Sequence, residues 1–468
     1  MKNQPNRHNT SFYFLLSIFL GLLTLGLGCK GLSEEQQQAI RPVTLNYWTV
    51  FGNVEELKRL AEEYKTIRPY VTVKIRQLRY EEFDSVFVNA LADDVGPDML
   101  SIHTRWLRKY QNRLAKMPAT VKVASVTTKG DIQPETVVTI ETNRMPTLDL
   151  IKSNYVSAVA DDAIINKEIY GLPIAFDSLA LFYNKDLMDT SGIALPPGTW
   201  PEFLEAVKKA TKFDKKGEII QAGAAIGLGE NVDNAFDILS LLMTQNGVTM
   251  AEGSRVLFAD GLEGGALNEK HPALEALRFY TDFARATKDV YTWNDRFGPA
   301  IDEFARGKAV FYLGFAYDLA RIKARAPQLN IGTAVLPQLN REVPVNVANY
   351  WLETVSNKSK HQNEAWDFIR FISTPNAIKK YTETVLLPSP LRAHVDAQKE
   401  HPFLAPFAAH VLSAKSWYRG KDIKAADSAM KKMIADYLTP YSEEDSRSPL
   451  KRDAGIVIRA AQVIQQTY

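Results

Sequence analysis

Regular alternation of apolar and polar residues begins near Val43. Val43, Leu45 and Tyr47 occupy every second position, which is the period of a half-buried strand. Asn53 then stands three residues before Glu56, the spacing of a capping box, and apolar residues follow at helical spacing up to residue 64. This stretch predicts a strand followed by an amphipathic helix.

The same order repeats directly downstream. Pro69 ends the first helix, and alternate apolar residues predict a second strand over 71–75. Apolar residues at helical spacing predict a second helix over 83–91, and an apolar run predicts a third strand over 99–102. The β-α-β-α-β order favours a parallel sheet with helices on its faces.

Residues 117–155 interrupt this pattern. Valines and isoleucines lie there among Thr, Lys and Gly, which fits either a local β insertion or a long irregular excursion. Beyond it the two patterns alternate again, and Thr199 and Glu202 form a second capping box. The further predicted elements are strands over 179–183, 309–314 and 331–336, helices over 203–207, 238–243, 274–283 and 365–372, and a mainly helical stretch over 399–468. The sequence therefore predicts an α/β fold throughout.

The N-terminus has a different pattern. Lys2 and Arg7 precede an unbroken run of low polarity over 12–28. A basic head followed by an apolar stretch that ends in small residues is typical of a secretory signal. The run is also just long enough to span a bilayer, so an uncleaved membrane anchor is the alternative. Both interpretations predict an exported protein.

Cys29, the only cysteine, directly follows this run. A lone cysteine excludes an intramolecular disulfide and a zinc site built from several cysteines. Leu25-Gly26-Leu27-Gly28-Cys29-Lys30 resembles a bacterial lipobox, in which the cysteine is acylated, although Gly26 stands where a lipobox usually has Leu. We expect a signal peptide over 1–28, lipidation at Cys29, and a polar tether over 29–42 that holds the protein at the outer face of the cell membrane or in the periplasm.

Length and charge narrow the classes of function. With 468 residues the chain can form two domains or a two-lobed body. Residues 1–28 contain Lys2 and Arg7 and no acid, so the 56 basic and 54 acidic residues become 54 of each sign in the remainder. A neutral body lacks the basic surface of a nucleic-acid binder or of a protein held on anionic lipid.

A series of short segments in a fixed order carries a family resemblance. The segments are Leu45-Asn46-Tyr47-Trp48-Thr49, the helix over 56–64, Ala90-Leu91-Ala92, Gly96-Pro97-Asp98-Met99, Tyr170-Gly171-Leu172-Pro173, Phe182-Tyr183-Asn184-Lys185-Asp186-Leu187, Thr199-Trp200-Pro201-Glu202-Phe203, Ala305-Arg306-Gly307-Lys308-Ala309 and Ala365-Trp366-Asp367-Phe368. In this order the chain resembles the family 1 extracellular solute-binding proteins of bacterial ABC importers, the maltose-binding type.

The resemblance implies a two-lobed periplasmic-binding-protein fold of type II, with parallel-sheet lobes joined by crossing hinge strands. Lobe one would comprise residues 43–174 and 352–388, and lobe two residues 175–351 and 389–468. The crossings would fall near 174–178, 346–352 and 389–394. It also implies a monomer that closes around a small solute, a sugar or oligosaccharide, and delivers it to a membrane permease.

Strand ends supply the first candidates for ligand contacts. Ligands of open α/β sheets bind beyond the carboxyl ends of the strands, and here those ends carry Trp48, Thr49, His103, Arg105 and Trp106. A sugar presents apolar C–H faces and a rim of hydroxyl groups. Aromatic rings flanked by charged or amide side chains therefore suit it.

The resemblance adds further candidates. Maltose-binding relatives carry an Asp-Arg pair where this chain has Thr104 and Arg105, so the replacement of the acid by Thr104 argues against maltose itself. A hinge acid of those relatives matches Asp177, for which a purely structural hinge hydrogen bond is the alternative. The remaining candidates are Phe315, Tyr317, Asn349, Tyr350 and Trp351. Trp200 and Trp366 lie in helix contexts and are assigned to the core.

Rival functions remain at this point. A secreted glycosidase would use paired carboxylates, and none stands out beyond helix caps and solvated helix faces. The histidines show no zinc-protease spacing, and neither a phosphate loop nor a nucleophile elbow occurs, so we expect no enzyme, no metal and no cofactor. A binding protein for another solute, namely a peptide, polyamine, metal or phosphate ester, is the second rival, and an acidic aromatic cleft would suit a polyamine. A surface adhesin or structural lipoprotein is the third.

Overall fold

The computed structural model describes residues 32–93, 95–129, 135–263, 269–442 and 447–468. The expected signal peptide over 1–28 and the expected lipidation of Cys29 lie outside these residues. Within the described ranges, none of the helices combines the length and the apolar character that crossing a bilayer requires.

Strands form two main sheets and several short pairs. In chain order the strands are β1 (Val43–Thr49), β2 (Val71–Gln77), β3 (Met99–His103), β4 (Thr120–Lys129), β5 (Glu135–Arg144), β6 (Ile164–Ile165), β7 (Glu168–Ile169), β8 (Ala180–Asn184), β9 (Lys212–Phe213), β10 (Ile219–Ala224), β11 (Ala251–Glu252), β12 (Arg255–Val256), β13 (Ala309–Gly314), β14 (Ile331–Ala334), β15 (Asn346–Val347), β16 (Trp351–Val355) and β17 (Ala414–Lys415).

Helices cover the faces of these sheets. They are α1 (Glu34–Ala39), α2 (Val54–Ile67), α3 (Tyr80–Ala92), α4 (Leu107–Tyr110), α5 (Leu148–Asn154), α6 (Ser157–Ala163), α7 (Lys185–Thr190), α8 (Trp200–Ala210), α9 (Ala235–Gln245), α10 (Pro272–Asp282), α11 (Ala300–Ala305), α12 (Asp318–Arg325), α13 (Gln362–Ile372), α14 (Pro375–Val385), α15 (Arg392–Lys399), α16 (Ala405–Ala408), α17 (Ile423–Leu438) and α18 (Pro449–Gln465). The α/β prediction is confirmed.

The first sheet has the strand order β16-β3-β1-β2. β1 runs parallel to β2 and β3, as the β-α-β-α-β pattern predicted, and β16 closes the sheet antiparallel to β3. Asn53 caps α2, with its Oδ1 accepting the Glu56 N–H at 3.1 Å. The reciprocal half of the predicted capping box is replaced, because the Asn53 N–H donates to the Tyr381 hydroxyl and the Glu56 carboxylate pairs with Arg59.

The second sheet has the order β14-β8-β13-β10-β9. β10 and β13 are parallel, whereas β8 is antiparallel to both β13 and β14. Helix α9 is buried over 235–243, which agrees with the mainly apolar residues around its axis. α8 starts with the predicted capping box, in which Thr199 and Glu202 exchange hydrogen bonds.

Residues 117–155 contain a β insertion rather than an irregular excursion. β4 and β5 pair antiparallel from Thr120 opposite Arg144 to Lys129 opposite Glu135. Part of the segment that was predicted as a polar tether instead forms the helix α1, which packs on this hairpin. Gln36 Nε2 donates to the Val138 carbonyl at 2.8 Å. A complete capping box between Ser33 and Gln36 starts that helix.

Three chain segments cross between the two sheets. Ser178 pairs with Ala348 and Leu172 with Glu353 through isolated antiparallel bridges. The third segment contains Pro388, whose carbonyl accepts the Phe176 N–H of the first segment at 2.8 Å. These crossings divide the molecule into two lobes, each built around one main sheet.

Candidate ligand-binding cleft

A cavity of about 660 Å³ lies between the two lobes. Its lining includes Phe51, Tyr80, Glu81, His103 and Arg105 from the first lobe, Asn349 and Trp351 from a crossing segment, and Asp233, Asn234, Phe236, Asp237, Tyr317, Arg321, Ile423, Lys424, Asp427, Ser428 and Lys431 from the second lobe. The volume falls within the range of small-molecule sites, which are commonly clefts at domain boundaries.

Aromatic rings from both lobes meet in this cleft. The Phe51 ring lies 5.4 Å from Trp351 and 5.5 Å from Tyr317 between centroids, and Tyr317 belongs to the opposite lobe. Phe51 remains 47% exposed, so part of its surface is available to a ligand. Sequence reasoning reached the end of β1 but selected Trp48 and Thr49. The signal for Phe51 was an aromatic residue directly before a glycine at a strand end.

Trp48 and Trp106 lie beneath the cleft instead of facing it. Trp48 is buried, with the Arg76 guanidinium over its ring at 4.9 Å. The Trp106 ring stacks with Tyr80 and with Phe83, at 4.7 and 5.0 Å between ring centroids. It also meets the edge of Trp351 at 5.4 Å. Trp106 thus supports Trp351, which itself lines the cleft.

Thr49 shapes the turn that presents Phe51. Its side chain is fully buried, and Oγ1 accepts the Gly52 N–H at 3.0 Å. A Cβ at position 52 would lie 2.5 Å from that oxygen, closer than real Cβ contacts allow. The turn therefore requires glycine at position 52, and Thr49 holds the chain in place rather than contacting a ligand.

His103 is a buried, neutral part of the cleft wall. Nδ1 accepts the Arg105 N–H at 3.2 Å, so the ring proton resides on Nε2, which donates to Asn349 Oδ1 at 2.9 Å. Burial, together with the nearby Arg105 charge, lowers the pKa of His103 to about 3. His103 consequently orients the Asn349 amide without carrying charge.

Arg105 forms an ion pair that joins the two lobes. Its guanidinium contacts both carboxylate oxygens of Asp237 on α9, Nη2 closely and Nη1 at 3.4 Å, and its Cζ lies 5.0 Å from the centre of the Phe236 ring. The Asp237 side chain is 7% exposed and that of Arg105 16%. Sequence reasoning missed Asp237, although an acid within an otherwise apolar buried helix was a usable signal.

Asp177 holds the hinge. Its carboxylate accepts the N–H groups of Ser178 and Ala316 at 2.8 and 2.9 Å, and that of Tyr317 at 3.1 Å. Burial raises the pKa of this carboxyl well above its ordinary value. Of its two expected roles, the geometry supports the hinge hydrogen bond, through which Asp177 fixes the backbone of Tyr317 beside the cleft.

The other predicted aromatic residues divide into two groups. Tyr317 and Trp351 line the cleft, and Phe315 is fully buried with its ring stacked on Tyr317 at 5.6 Å. Tyr350 points away, with its hydroxyl 2.8 Å from Asp162 Oδ2 and 3.0 Å from the Ala158 carbonyl. Phe315 and Tyr350 therefore contribute packing rather than ligand contacts in this conformation.

A buried acid lies behind the cleft, where a small cavity of about 60 Å³ is lined by Glu353 together with Phe51, Asp177 and Trp351. Glu353 Oε2 accepts hydrogen bonds from the Tyr47 hydroxyl at 2.5 Å and from Ser101 Oγ at 2.7 Å. Burial raises the pKa of Glu353 to about 7. Sequence reasoning passed over this residue, although an acid between apolar strand positions was its signal.

Most charged groups of the cleft already have partners. Beyond the Arg105–Asp237 pair, Lys431 contacts Asp427 at 2.9 Å and Arg321 contacts Asp318 at 2.7 Å. These pairings make the cleft polar with little net charge. Across the described ranges, no group of three or more His, Cys, Asp or Glu side chains is arranged to hold a metal ion.

Comparisons with known proteins agree with this architecture. The model of the bacterial extracellular solute-binding protein family matches residues 59–403. A putative binding protein of Brucella abortus is 25% identical over 284 residues, which are 57% of this chain and 62% of that protein. A multiple sugar-binding protein of Streptococcus mutans is 25% identical over 240 residues, which are 50% of this chain and 53% of that protein. The chain thus spans between half and two thirds of these curated relatives.

Among solved structures, the sugar-binding protein MalE from Xanthomonas citri superimposes with a TM-score of 0.66 at 17% identity, covering 91% of this chain and 98% of that one. This likeness shows the fold. With the family model spanning most of the sequence, the chain belongs to the bacterial extracellular solute-binding proteins.

Proposed function

We propose that the protein is the extracytoplasmic solute-binding component of an ABC importer and captures a sugar or oligosaccharide between its lobes. The cleft carries this proposal: a cavity of about 660 Å³ in which exposed aromatic faces lie beside paired charges. Sugars have apolar faces and hydrogen-bonding rims, and such a lining complements both. The sugar-binding relatives among the comparisons support the same class of ligand.

The distribution of charge favours a sugar over a polyamine. A polyamine needs acids whose charge is not already neutralised, yet Asp237 and Asp427 are paired with Arg105 and Lys431. Asp233 accepts the N–H of Ile301 at the start of α11, where the helix dipole favours an acid. Paired groups of this kind can still exchange hydrogen bonds with hydroxyl groups of a neutral ligand.

Within the cleft we assign distinct roles to the side chains. Phe51, Tyr317 and Trp351 would stack on sugar rings, and Arg105 with Asn349 would bind hydroxyl groups. Asp177 and His103 would position Tyr317 and Asn349, while Trp48, Thr49, Trp106, Phe315 and Tyr350 would support the walls. Three of the four acids in the lining, Asp233, Asp237 and Asp427, are engaged in ion pairs or a backbone hydrogen bond, which supports binding without catalysis over a glycosidase.

The crossing segments support a division into two lobes. We propose lobe one as 43–174 and 352–388 and lobe two as 175–351 and 389–468, and the membership of the two main sheets supports this division. Closure would rotate the lobes about the hinge, favoured only by as much as the ligand binds the closed form better. The partner would be a membrane permease, and the binding protein would act as a monomer.

Export and anchoring complete the proposal. A signal peptide over 1–28 would direct secretion, and acylation of Cys29 would anchor the protein to the membrane. Metabolic labelling with palmitate tests this directly. Incorporation that is lost in Cys29→Ser supports lipidation, whereas export without labelling supports residues 12–28 as an uncleaved anchor.

A thermal-shift screen tests the class of ligand. A ligand that binds the native state stabilises it by RT ln(1 + [L]/Kd), about 2.7 kcal/mol at a hundredfold excess over Kd. We expect a neutral mono- or oligosaccharide to raise the melting temperature, and putrescine, spermidine and short peptides to leave it unchanged. A shift with a polyamine or a peptide and with none of the sugars would reject the sugar assignment.

A further inference from the structure

The small cavity of about 60 Å³ behind the cleft lies among the crossing segments, and we call it the hinge chamber. Phe51, Tyr317, Asn349 and Trp351 line both the hinge chamber and the cleft. Because these four side chains belong to both spaces, the chamber adjoins the cleft directly. It is a recess of the proposed sugar site to which no part of the ligand has yet been assigned.

Glu353 presents an unpaired oxygen to this chamber. The residue is 3% exposed, and its hydrogen bonds from Tyr47 and Ser101 both end on Oε2. Oε1 receives no hydrogen bond from the parts of the chain that the structure describes, and packing does not close it off from the space that Glu353 lines. A buried carboxyl oxygen without a partner is unfavourable, so Oε1 favours a polar group that enters the chamber.

The position of the Glu353 proton narrows the kind of group that fits. Since Oε2 already accepts two hydrogen bonds, the proton of the neutral acid resides on Oε1. Oε1 therefore accepts a hydrogen bond when Glu353 is ionised and donates one when it is neutral. A hydroxyl group does both, so it pairs with Oε1 in either state, whereas an ammonium group can only donate.

The rest of the chamber wall supports a hydroxyl group on a short hydrocarbon stem. The Tyr381 hydroxyl accepts the Asn53 N–H at 3.0 Å, and among the described residues its own proton has no acceptor. Ile174, Phe176 and Leu387 add apolar surface. A methylene group would pack on that surface while the hydroxyl reaches the polar groups.

Volume limits the occupant to about two heavy atoms. A water molecule takes up about 30 Å³ of the liquid, and the chamber measures about 60 Å³. A hydroxymethyl group consists of one carbon and one oxygen. We infer that the hinge chamber is a subsite for one hydroxymethyl group of the bound sugar, whose hydroxyl pairs with Glu353 Oε1. This inference rests on the proposed function and adds the class of sugar, a hexose rather than a pentose.

Matched sugars test the subsite on the wild-type protein. D-glucose and D-xylose differ only in the hydroxymethyl group, and cellobiose and xylobiose differ in the same way at each ring. We expect the hexose member of a pair to bind about tenfold more tightly or better in calorimetric titration, because the pentose offers Oε1 no hydroxyl.

The Glu353 carboxyl supplies a second readout. In protein labelled with ¹³C at the glutamate side-chain carboxyls, Glu353→Gln identifies the Glu353 signal by its loss. If that variant fails to fold, the titration of the signal near pH 7 identifies it in wild type. We expect every hexose sugar that binds to shift this signal in a saturable way, and saturating xylose or xylobiose to leave it in place.

Three results would overturn the subsite and leave sugar binding in the cleft intact. They are equal affinities within a pair, a Glu353 signal that does not move when a hexose sugar binds, and an equal shift with the pentose member. If neither these sugars nor those of the thermal-shift screen bind, the proposed function fails and the subsite fails with it.

Discussion

Glu353→Gln should remove a specific pH dependence of stability. Burial raises the folded-state pKa of Glu353 from its ordinary value of 4.5 to about 7. Between these values the folded protein keeps a proton that the unfolded chain has released. The contribution of Glu353 to the free energy of unfolding therefore falls as pH rises through this window. At about 1.36 kcal/mol per pKa unit, the full change is about 3 kcal/mol.

The glutamine introduced by this substitution stays neutral at every pH, and its amide oxygen can still accept from Tyr47 and Ser101. We expect the stability of wild type, measured relative to Glu353→Gln, to be about 3 kcal/mol greater near pH 4 than near pH 8. Urea unfolding at a series of pH values measures this. Fluorescence and circular dichroism should be followed together, because two lobes can unfold separately.

Glu62→Gln on the exposed face of α2 controls for the loss of one carboxylate. A difference between wild type and Glu353→Gln that does not change with pH would refute the reasoning. So would a difference that grows in favour of wild type at high pH, since that would mean that Glu353 is stabilised as a carboxylate.

Three further predictions concern the cleft and hinge. Arg105→Ala should lower the free energy of unfolding by about 3–5 kcal/mol, because it leaves Asp237 buried and unpaired. Asp237→Asn in the same background should recover part of this loss in a double-mutant cycle. Full additivity of the two single-variant effects would contradict the ion pair. Gly52→Ala should cost about 1–3 kcal/mol by overpacking against Thr49, and an unchanged urea midpoint would contradict the turn geometry. Tyr350→Phe should lower the free energy of unfolding by about 1–2 kcal/mol, because the hydrogen bond to Asp162 is lost, and should leave sugar affinity unchanged. A loss of sugar affinity would place Tyr350 in the site.

Local patterns were sufficient to predict most of the secondary structure. The alternation around Val43 and the helical spacing over 83–91 depend on which face of an element is buried, so they predicted β1 and α3 correctly. The structure of residues 117–155 was left undecided, because the pattern of this segment does not show by itself whether its strands pair with each other. α1 was not predicted, because a six-residue polar helix gains its stability from the hairpin on which it packs.

The site was harder to predict because exposure depends on tertiary packing. Trp48 and Trp106 stand at strand ends, as a sugar site requires, but neighbouring side chains cover both rings. Asp237 is distant from Arg105 in sequence, and the two meet only when the lobes face each other. Tyr317 and Trp351 were predicted from the family resemblance rather than from any local pattern.

Calorimetric titration with the best sugar of the screen tests the central claim most directly. Phe51 and Phe213 are both 47% exposed, but only Phe51 lines the cleft, so Phe213→Ala is a matched control for Phe51→Ala. We predict one sugar per chain, affinity about tenfold weaker in Phe51→Ala, and wild-type affinity in Phe213→Ala. Equal affinities in all three proteins, or no sugar binding in wild type, would contradict a sugar site between the lobes.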